Sequence, residues 1–221
     1  VFGDIDATQV RKQIESALPQ WDSPTPSIGL PEANPLSETK RDSVSTEKEQ
    51  AVVTLGFQGC TLGHADRYAM DLISEALNDM GSRLFLKIRE ELGLAYYVGT
   101  QNFAGRIPGC FTFYAGTAAK SAAQVEDELT RQAKRLAKEG LTEDELRRAK
   151  AKLTGHKKIA RQDLGTVAFA TCMDELLGLG YNHHAEEVIR IESVTLEQVR
   201  DVANRYFGTE QFATAVSLPS N

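Results

Sequence analysis

Two residues in the stretch "SRLFLKIREELGLAYYVGTQ", residues 82–101, are suited to stabilising negative charge. Arg89 carries a guanidinium and Tyr96 a phenol hydroxyl, and both groups donate hydrogen bonds. When a hydroxide bound to a metal attacks a peptide carbonyl, negative charge develops on the carbonyl oxygen, and donors placed to meet it lower the barrier by about a few kcal/mol each. By itself, an arginine seven residues before a tyrosine carries little information, and a solvated arginine beside a half-buried aromatic is the commoner arrangement.

A second cluster, in "GYNHHAEEV", contains side chains that could bind zinc. His183, His184, Glu186 and Glu187 are all possible zinc ligands, and His183 and Glu187 are one helical turn apart. No further histidine or cysteine is placed to complete a tetrahedral site. The start of a helix that carries surface histidines is therefore the favoured interpretation, and no metal ligand is assigned.

The remaining motifs predict no cofactor site. The stretch "GFQGCTLG", residues 56–63, lacks the lysine and hydroxyl residue of a nucleotide loop and the glycine spacing of a dinucleotide loop. His64 and His156 have no nucleophile beside them in a known motif. Glu90 and Glu91 are adjacent on a helix, point to different sides and cannot act as an acid–base pair.

Composition sets limits on the class of protein. The chain has 221 residues, of which 41% are hydrophobic and 25% charged, as in ordinary globular domains. A formal charge of -6 disfavours nucleic-acid binding, which requires clustered basic residues. No apolar run approaches the roughly 20 residues of a membrane-spanning helix. The three cysteines are too widely spaced for a zinc knuckle or a redox pair, and they identify no compartment.

The chain divides into three parts by composition. Residues 1–22, a strand end followed by a helix capped by Asp6, bury little alone and read as the tail of a preceding domain. Residues 23–49 are rich in proline and charge, which predicts a linker. Residues 50–221 contain regular hydrophobic periodicity and form the main domain.

The main domain alternates a few strands with amphipathic helices. Two of the strands, at 96–103 and 110–117, should form an antiparallel hairpin, since glycine and proline lie between them. Capping patterns open helices at Thr142 and Thr195, and Gly93 and Gly140 suit helix ends. The order predicts an α+β fold with helices on one face of a largely antiparallel sheet. The other predicted elements are strands at 50–57 and 211–218 and helices at 64–79, from 82 to 92, at 119–139, at 142–179 with a possible break at Gly165, and at 195–207.

The motif "GSRLFLKIREELGLAYYV" resembles the second-half signature of the pitrilysin/insulinase family of zinc metallopeptidases, which includes the mitochondrial processing peptidases. The signature is a small residue, then "RLF", then R-E-x-x-G-x-A-Y. Three further stretches resemble the end of the family's first half and its later helices, so the resemblance covers nearly the full chain. They are "VFGDID", "EGLTEDELRRAKAKL" and "IESVTLEQVRDVANRYF".

The resemblance implies a role for Arg89 and Tyr96. Members of the family consist of repeated α+β halves that close as a clamshell; one half binds zinc through H-x-x-E-H, and the other supplies an arginine and a tyrosine to substrate and oxyanion. This sequence contains no H-x-x-E-H, so the resemblance implies the metal-free C-terminal half, with Arg89 and Tyr96 at the two positions. Tyr97 is the alternative, since adjacent strand residues face opposite sides and only one can point into the chamber.

Two functions from different classes follow from this resemblance. The first is the substrate-binding half of a zinc metalloendopeptidase, inactive alone, whose partners are a zinc-binding N-terminal half in the same precursor or another subunit and a peptide substrate. The second is a non-catalytic scaffold or assembly subunit with the same fold. Where processing-peptidase relatives can carry a long glycine-rich loop, this chain has only "LNDMGSRL". The sequence does not distinguish the bacterial periplasm from the cytoplasm.

Overall fold

A computed structural model describes residues 1–19 and 29–220. Its framework is a five-stranded sheet in the order β1-β5-β2-β4-β3. The strands are β1 (Lys40–Thr46), β2 (Ala51–Gln58), β3 (Ala95–Phe103), β4 (Cys110–Thr117) and β5 (Ala213–Pro219). The helices are α1 (Ala7–Ala17), α2 (Arg67–Leu77), a π-helix (Phe85–Glu91), a short 3-10 turn (Ala119–Ser121), α3 (Ala122–Glu139), α4 (Glu143–Ala160), α5 (Leu164–Leu176), α6 (His183–Ser193) and α7 (Leu196–Phe207).

Three of the four strand pairings are antiparallel. β2 pairs with β4 and β5, and β4 with β3, whereas the edge strand β1 runs parallel to β5. The hairpin of β3 and β4 and the α+β class with a largely antiparallel sheet are therefore confirmed. β1 and β5 can pair in parallel because the chain between them, which includes the helical layer, provides the long crossover that parallel strands need.

The core lies between one face of the sheet and the helices. Buried and half-buried residues alternate strictly along β2, as expected for a strand with one face against helices. Helices α2, α3 and α7 pack in this layer. At its centre, the rings of Phe57, Phe111, Phe113 and Phe207 meet at centroid distances between 4.8 and 6.0 Å, mostly edge to face, the geometry that aromatic pairs prefer.

Several helices begin or end at the residues that the sequence indicates, whereas α2 and α3 begin three residues later than predicted. Asp6 caps α1 through its carboxylate, and complete capping boxes open α4 at Thr142 and α7 at Thr195. Gly93 and Gly140 have φ values of +60° and +68°, which side-chain-bearing residues rarely adopt. The long helical region from 142 is broken before Gly165: α4 ends at Ala160, and Asp163 caps the new helix α5 by accepting from the Thr166 amide.

Two parts of the segmentation are wrong. Residues 1–6 form no strand, because no other described strand pairs with them. Within the predicted linker, Lys40–Thr46 form β1. The linker interpretation failed there because six of these seven residues are exposed, so the strand lacks the alternation of a half-buried strand. Trp21, Pro24 and Pro26 lie outside the described residues. The division into tail, linker and half-domain otherwise stays a prediction.

An ion pair joins the segment before the π-helix to the start of α4. Arg83 donates hydrogen bonds to both carboxylate oxygens of Glu145, which also accepts from the Thr142 amide in the capping box. The Arg83 and Glu145 side chains are only 13% and 10% exposed. Burial by itself raises the pKa of Glu145, but the hydrogen bonds from Arg83 and Thr142 outweigh it and hold the pKa below its usual value of 4.5.

We expect Glu145→Gln to destabilise the fold by about 2 kcal/mol, because Arg83 would remain buried without its charged partner. Since the folded pKa of Glu145 is lowered, its stabilisation is complete above the usual carboxyl pKa and is lost as the pH falls through the folded value. Urea unfolding from pH 7 to pH 3 should show a steeper loss for the wild type than for Glu145→Gln. Glu139→Gln, in an exposed i,i+4 pair with Arg135, is the control and should barely change the midpoint. Equal effects of both variants would contradict the assignment.

Candidate functional site

The segment that precedes β3 is a π-helix and not the α-helix expected from Ser82. The Ser82 hydroxyl accepts from the Phe85 amide at 3.2 Å, and the Leu92 amide donates to the Lys87 carbonyl at 3.1 Å, five residues back. Short π-helical segments are rare and occur frequently at functional sites. The segment is fixed to the core by Ile88, whose side chain is fully buried.

Arg89 lies on the outer side of this π-helix. Its side chain is 46% exposed, and its nearest carboxylate oxygen, on Glu90, is 4.0 Å from Nε. The guanidinium carbon lies 4.9 Å from the centre of the Phe85 ring, a cation–π contact that orients the group without using its hydrogen-bond donors. Arg89 is therefore positioned by stacking, with donors available to a ligand.

Tyr96 is the extra residue of a β-bulge at the start of β3. Ala95 lies opposite Thr117 and Tyr97 opposite Gly116, so Tyr96 has no partner on β4. Bulges bend a strand and redirect side chains, often beside active sites. Tyr96 is 55% exposed and Tyr97 42%. Simple alternation does not hold through a bulge, so both tyrosines are exposed, and which of them points into the chamber stays a prediction.

Tyr97 packs on the sheet, and Tyr96 is the more exposed of the two tyrosines. A Cβ placed on Gly116 would be 2.2 Å from Cε1 of Tyr97, so the ring lies directly over this glycine. The Tyr97 and Tyr114 rings are 6.3 Å apart on the same face. Tyr97 therefore covers a glycine on the sheet surface away from the helices, and Tyr96 has the less constrained position.

Arg89 and Tyr96 flank one junction of the backbone. The Leu94 amide donates to the Ile88 carbonyl at 2.9 Å, and the Thr117 hydroxyl donates to the Leu94 carbonyl, which ties the end of the π-helix to the first residues of β3. In the described part of the chain, no hydrogen bond joins the two side chains. Their convergence on one substrate atom stays a prediction.

The outer edge of β3 is partly closed by Asn78, at the end of α2. The Asn78 side chain donates to the Thr100 carbonyl at 2.6 Å and accepts from the Thr100 amide at 2.7 Å, as a neighbouring strand would. A Cβ on Gly99 would be 2.6 Å from Asn78 Oδ1, so glycine permits this approach. Sequence reasoning missed Asn78, whose only signal was its place at a helix end. Because Thr100 is already paired, an added strand could reach β3 near Tyr96 and Val98 without displacing Asn78.

The four possible zinc ligands in 183–187 have other partners. His183 contacts the Tyr68 hydroxyl at 2.9 Å and the Arg190 guanidinium, and His184 contacts Asp174. Burial first, and Arg190 second, lower the pKa of His183, which keeps the ring neutral at pH 7. Both histidines are half-buried and therefore lie deeper than the surface placement that the sequence indicated.

The two glutamates of this cluster also have other partners. Glu187 is buried and lies 2.8 Å from the Lys157 ammonium and 3.5 Å from the Arg67 guanidinium, and Glu186 pairs with Arg190. Across residues 1–19 and 29–220, no group of three or more histidine, cysteine, aspartate and glutamate side chains is arranged to hold a metal ion. Within these ranges the residues therefore do not fit a zinc site, and no chemical step is assigned to zinc here.

Comparison with known proteins identifies the family. The sequence profile described as "Peptidase M16 inactive domain" matches residues 1–153, more than half of the chain. The chain belongs to this family. The resemblance to zinc metallopeptidases seen in the sequence is thereby confirmed at the level of the family.

Relatives and solved structures agree with the M16 inactive domain. The chain is similar to the uncharacterized zinc protease YmxG of Bacillus subtilis; the two are 30% identical, and the match covers all of this chain and 53% of that protein. It is also similar to an uncharacterized zinc protease of Streptomyces coelicolor; the identity is 31%, and the match covers 93% of this chain and 46% of that protein. Its fold is similar to a Helicobacter pylori protease, with a TM-score of 0.86, 19% identity and coverage of 98% of this chain and 53% of that one. The chain thus spans about half the length of these relatives.

A second solved structure is described as an M16 inactive domain. It comes from Pseudomonas fluorescens, with a TM-score of 0.83, 20% identity and coverage of all of this chain and 52% of that one. At such identity the likeness shows the shared fold. Within the described ranges of this chain, no helix is both long and apolar enough to cross a membrane.

We expect Gly116→Ala to destabilise the domain by about 1–3 kcal/mol, because the added methyl group would displace the Tyr97 ring. Thermal unfolding and tyrosine fluorescence should both change. The matched control is Gly56→Ala on neighbouring β2, where the nearest atoms to a new Cβ are 3.8 Å away. A Gly116→Ala domain as stable as Gly56→Ala would show that Tyr97 does not pack on the glycine in solution.

Replacing Asn78 by alanine should open the edge of β3. Loss of the two hydrogen bonds should increase the exchange rate of the Thr100 amide with solvent deuterium at least tenfold and cost about 1–2 kcal/mol of stability. Amide exchange measured by NMR tests this. Gln101→Ala, at an exposed neighbouring residue, should leave the Thr100 rate unchanged. An unaltered exchange rate of the Thr100 amide in Asn78→Ala would show that Asn78 does not close the edge of β3.

Proposed function

We propose that this chain is the metal-free half of a zinc metalloendopeptidase and that it binds peptide substrate while a zinc-binding half supplies the metal. The proposal is supported by the match to the M16 inactive domain and by relatives that are zinc proteases of about twice this length. The zinc site is assigned to the remaining half, because this sequence contains no H-x-x-E-H.

One observation carries the assignment of roles. Arg89 and Tyr96 lie on either side of the point where the π-helix meets the bulged start of β3. Both side chains are about half exposed. Within the described residues, no carboxylate lies close enough to occupy the hydrogen-bond donors of Arg89. Donors that are anchored by their backbone and remain free of internal partners are suited to a substrate oxygen. Arg83, by contrast, is held in a buried ion pair with Glu145 and donates to both of its carboxylate oxygens.

In this mechanism, Arg89 and Tyr96 act on the carbonyl of the scissile peptide. The Tyr96 hydroxyl and the Arg89 guanidinium would donate hydrogen bonds to the carbonyl oxygen, and these bonds strengthen as negative charge develops on it. Stabilisation that is greater in the transition state than in the bound substrate raises turnover. The isolated chain should not hydrolyse peptides, because oxyanion donors without a nucleophile give little catalysis.

The peptide is expected to bind in extended form beside the start of β3. The hydrogen bonds between Asn78 and Thr100 leave the backbone groups near Tyr96 and Val98 accessible at this edge. Main-chain pairing with a sheet edge is a common mode of peptide binding. The pairing would be short, since Thr100 is occupied. Only a few residues of the substrate would therefore be held by this half.

We expect Arg89→Ala and Tyr96→Phe, each in the full-length protein with its zinc-binding half, to lower kcat by about tenfold to a thousandfold, since each removes an oxyanion donor. Tyr97→Phe is the matched control and should retain turnover, because the Tyr97 ring covers Gly116 and its hydroxyl is not required. Steady-state hydrolysis of a quenched fluorescent peptide measures both kcat and KM. Unchanged kcat and KM in both Arg89→Ala and Tyr96→Phe would remove these two residues from the proposed site, whereas a full-length protein that hydrolyses no peptide would favour a non-catalytic scaffold.

A further inference from the structure

Helix α5 has a composition typical of a buried helix, but it is not buried. Its sequence "LGTVAFATCMDEL" has no charged residue in the first ten positions, and apolar or small residues occur on all sides. A helix that is apolar all round is normally buried in a protein interior or a membrane. Nevertheless, none of the thirteen residues of α5 is buried, and no helix of the described residues could span a membrane.

Only one side of α5 is covered in this chain. Among the helices and strands that are described, its substantial packing is with α6. On the other side, four uncharged residues follow one another at intervals of four, three and four, which places them along one face of the helix. These residues, which we name the outer face of α5, are all exposed: Gly165, Phe169, Cys172 and Leu176.

The outer face alternates small and large side chains. Phe169 is 68% exposed and Leu176 is 72% exposed, whereas Gly165 and Cys172 leave room beside them. Such alternation lets the side chains of a partner insert between the large residues, as in ordinary helix packing. The absence of charge on the face requires a partner surface that is also apolar.

We infer that the outer face of α5 is the docking surface for the zinc-binding half. This inference rests on the proposed function, because it takes that half as the partner. In the relatives, about half of the chain lies beyond the region that matches this one, so the partner is tethered to the same polypeptide. Tethering gives a high effective concentration, and a modest apolar contact is then sufficient for stable docking.

A second copy of this chain is less suited to the face. Stable contacts between separate proteins bury roughly 800 Å² on each partner, more than one side of a 13-residue helix provides. The tethered half needs no such area. The two occupants can be distinguished by experiment. Coverage of the outer face by a second copy depends on the protein concentration, whereas coverage by a tethered half does not.

Cys172 serves as the reporter of this contact. It is exposed on the outer face, whereas Cys60 is buried and its pKa is raised by burial to about 11, so that Cys60 reacts slowly. In a Cys110→Ser background, Cys172 is the remaining exposed thiol of this half. Any cysteine of the other half is replaced by serine, and alkylation by a maleimide is followed by mass spectrometry.

We expect Cys172 to react at least tenfold more slowly in the full-length protein than in the 221-residue chain, at every protein concentration. Phe169→Glu in the full-length protein should restore most of the fast rate, because it places a charge in an apolar contact. Leu176→Ser, a milder change, should restore part of it. Met80→Glu is the control at a residue that is 74% exposed and distant in sequence, and it should leave the protection intact.

Equal rates in the full-length protein and the 221-residue chain would overturn the inference, as would protection that neither α5 variant relieves. Protection of the 221-residue chain itself that grows with concentration would identify a second copy as the occupant and would also overturn it. Peptide hydrolysis by Arg89→Ala and Tyr96→Phe tests the proposed function separately. Loss of turnover there, together with an unprotected Cys172, would mean that the halves meet through another surface.

Discussion

The hydrogen bond from the Leu94 amide to the Ile88 carbonyl joins the π-helix to β3, and the position of both proposed substrate contacts depends on it. Ile88 is fully buried, so the end of the π-helix cannot move without opening the core. One residue after Ile88 comes Arg89, and two residues after Leu94 comes the bulged Tyr96. The accessible donors are thus attached to backbone that the core holds in place, which is the arrangement that oxyanion stabilisation requires.

Where a zinc-binding half needs unpaired ligands, this half has internally paired charges. Glu187 is buried between Lys157 and Arg67, and Arg67 also lies 3.7 Å from Asp71. Burial raises the pKa of Asp71, while the hydrogen bond from Asn102 and the nearby Arg67 oppose that increase. These carboxylates are neutralised by basic side chains and are not free to bind a cation. The chemistry proposed for this half is therefore binding and charge stabilisation.

The domain has a complete core, but part of its apolar surface is uncovered. The phenylalanine cluster and the alternating residues of β2 are buried within the chain, whereas α1 buries no residue and α5 presents an apolar outer face. Exposed apolar surfaces of this kind mark sites of interaction. The length of the relatives gives the simplest physical account, because a second half of similar size could cover surfaces that this half cannot cover itself.

The sequence by itself determined the α+β class, several helix starts and ends, and the family. Those features depend on local signals: the capping boxes at Thr142 and Thr195 and glycines at helix ends act within a few residues. Tertiary structure decided the features that depend on distant partners. The exposed strand β1 forms because β5, more than 160 residues away in sequence, pairs with it. The hydrogen bonds of Asn78 to Thr100 form because α2 lies beside the edge of β3. The bulge at Tyr96 likewise reflects register with β4, which residues 95–97 alone do not specify.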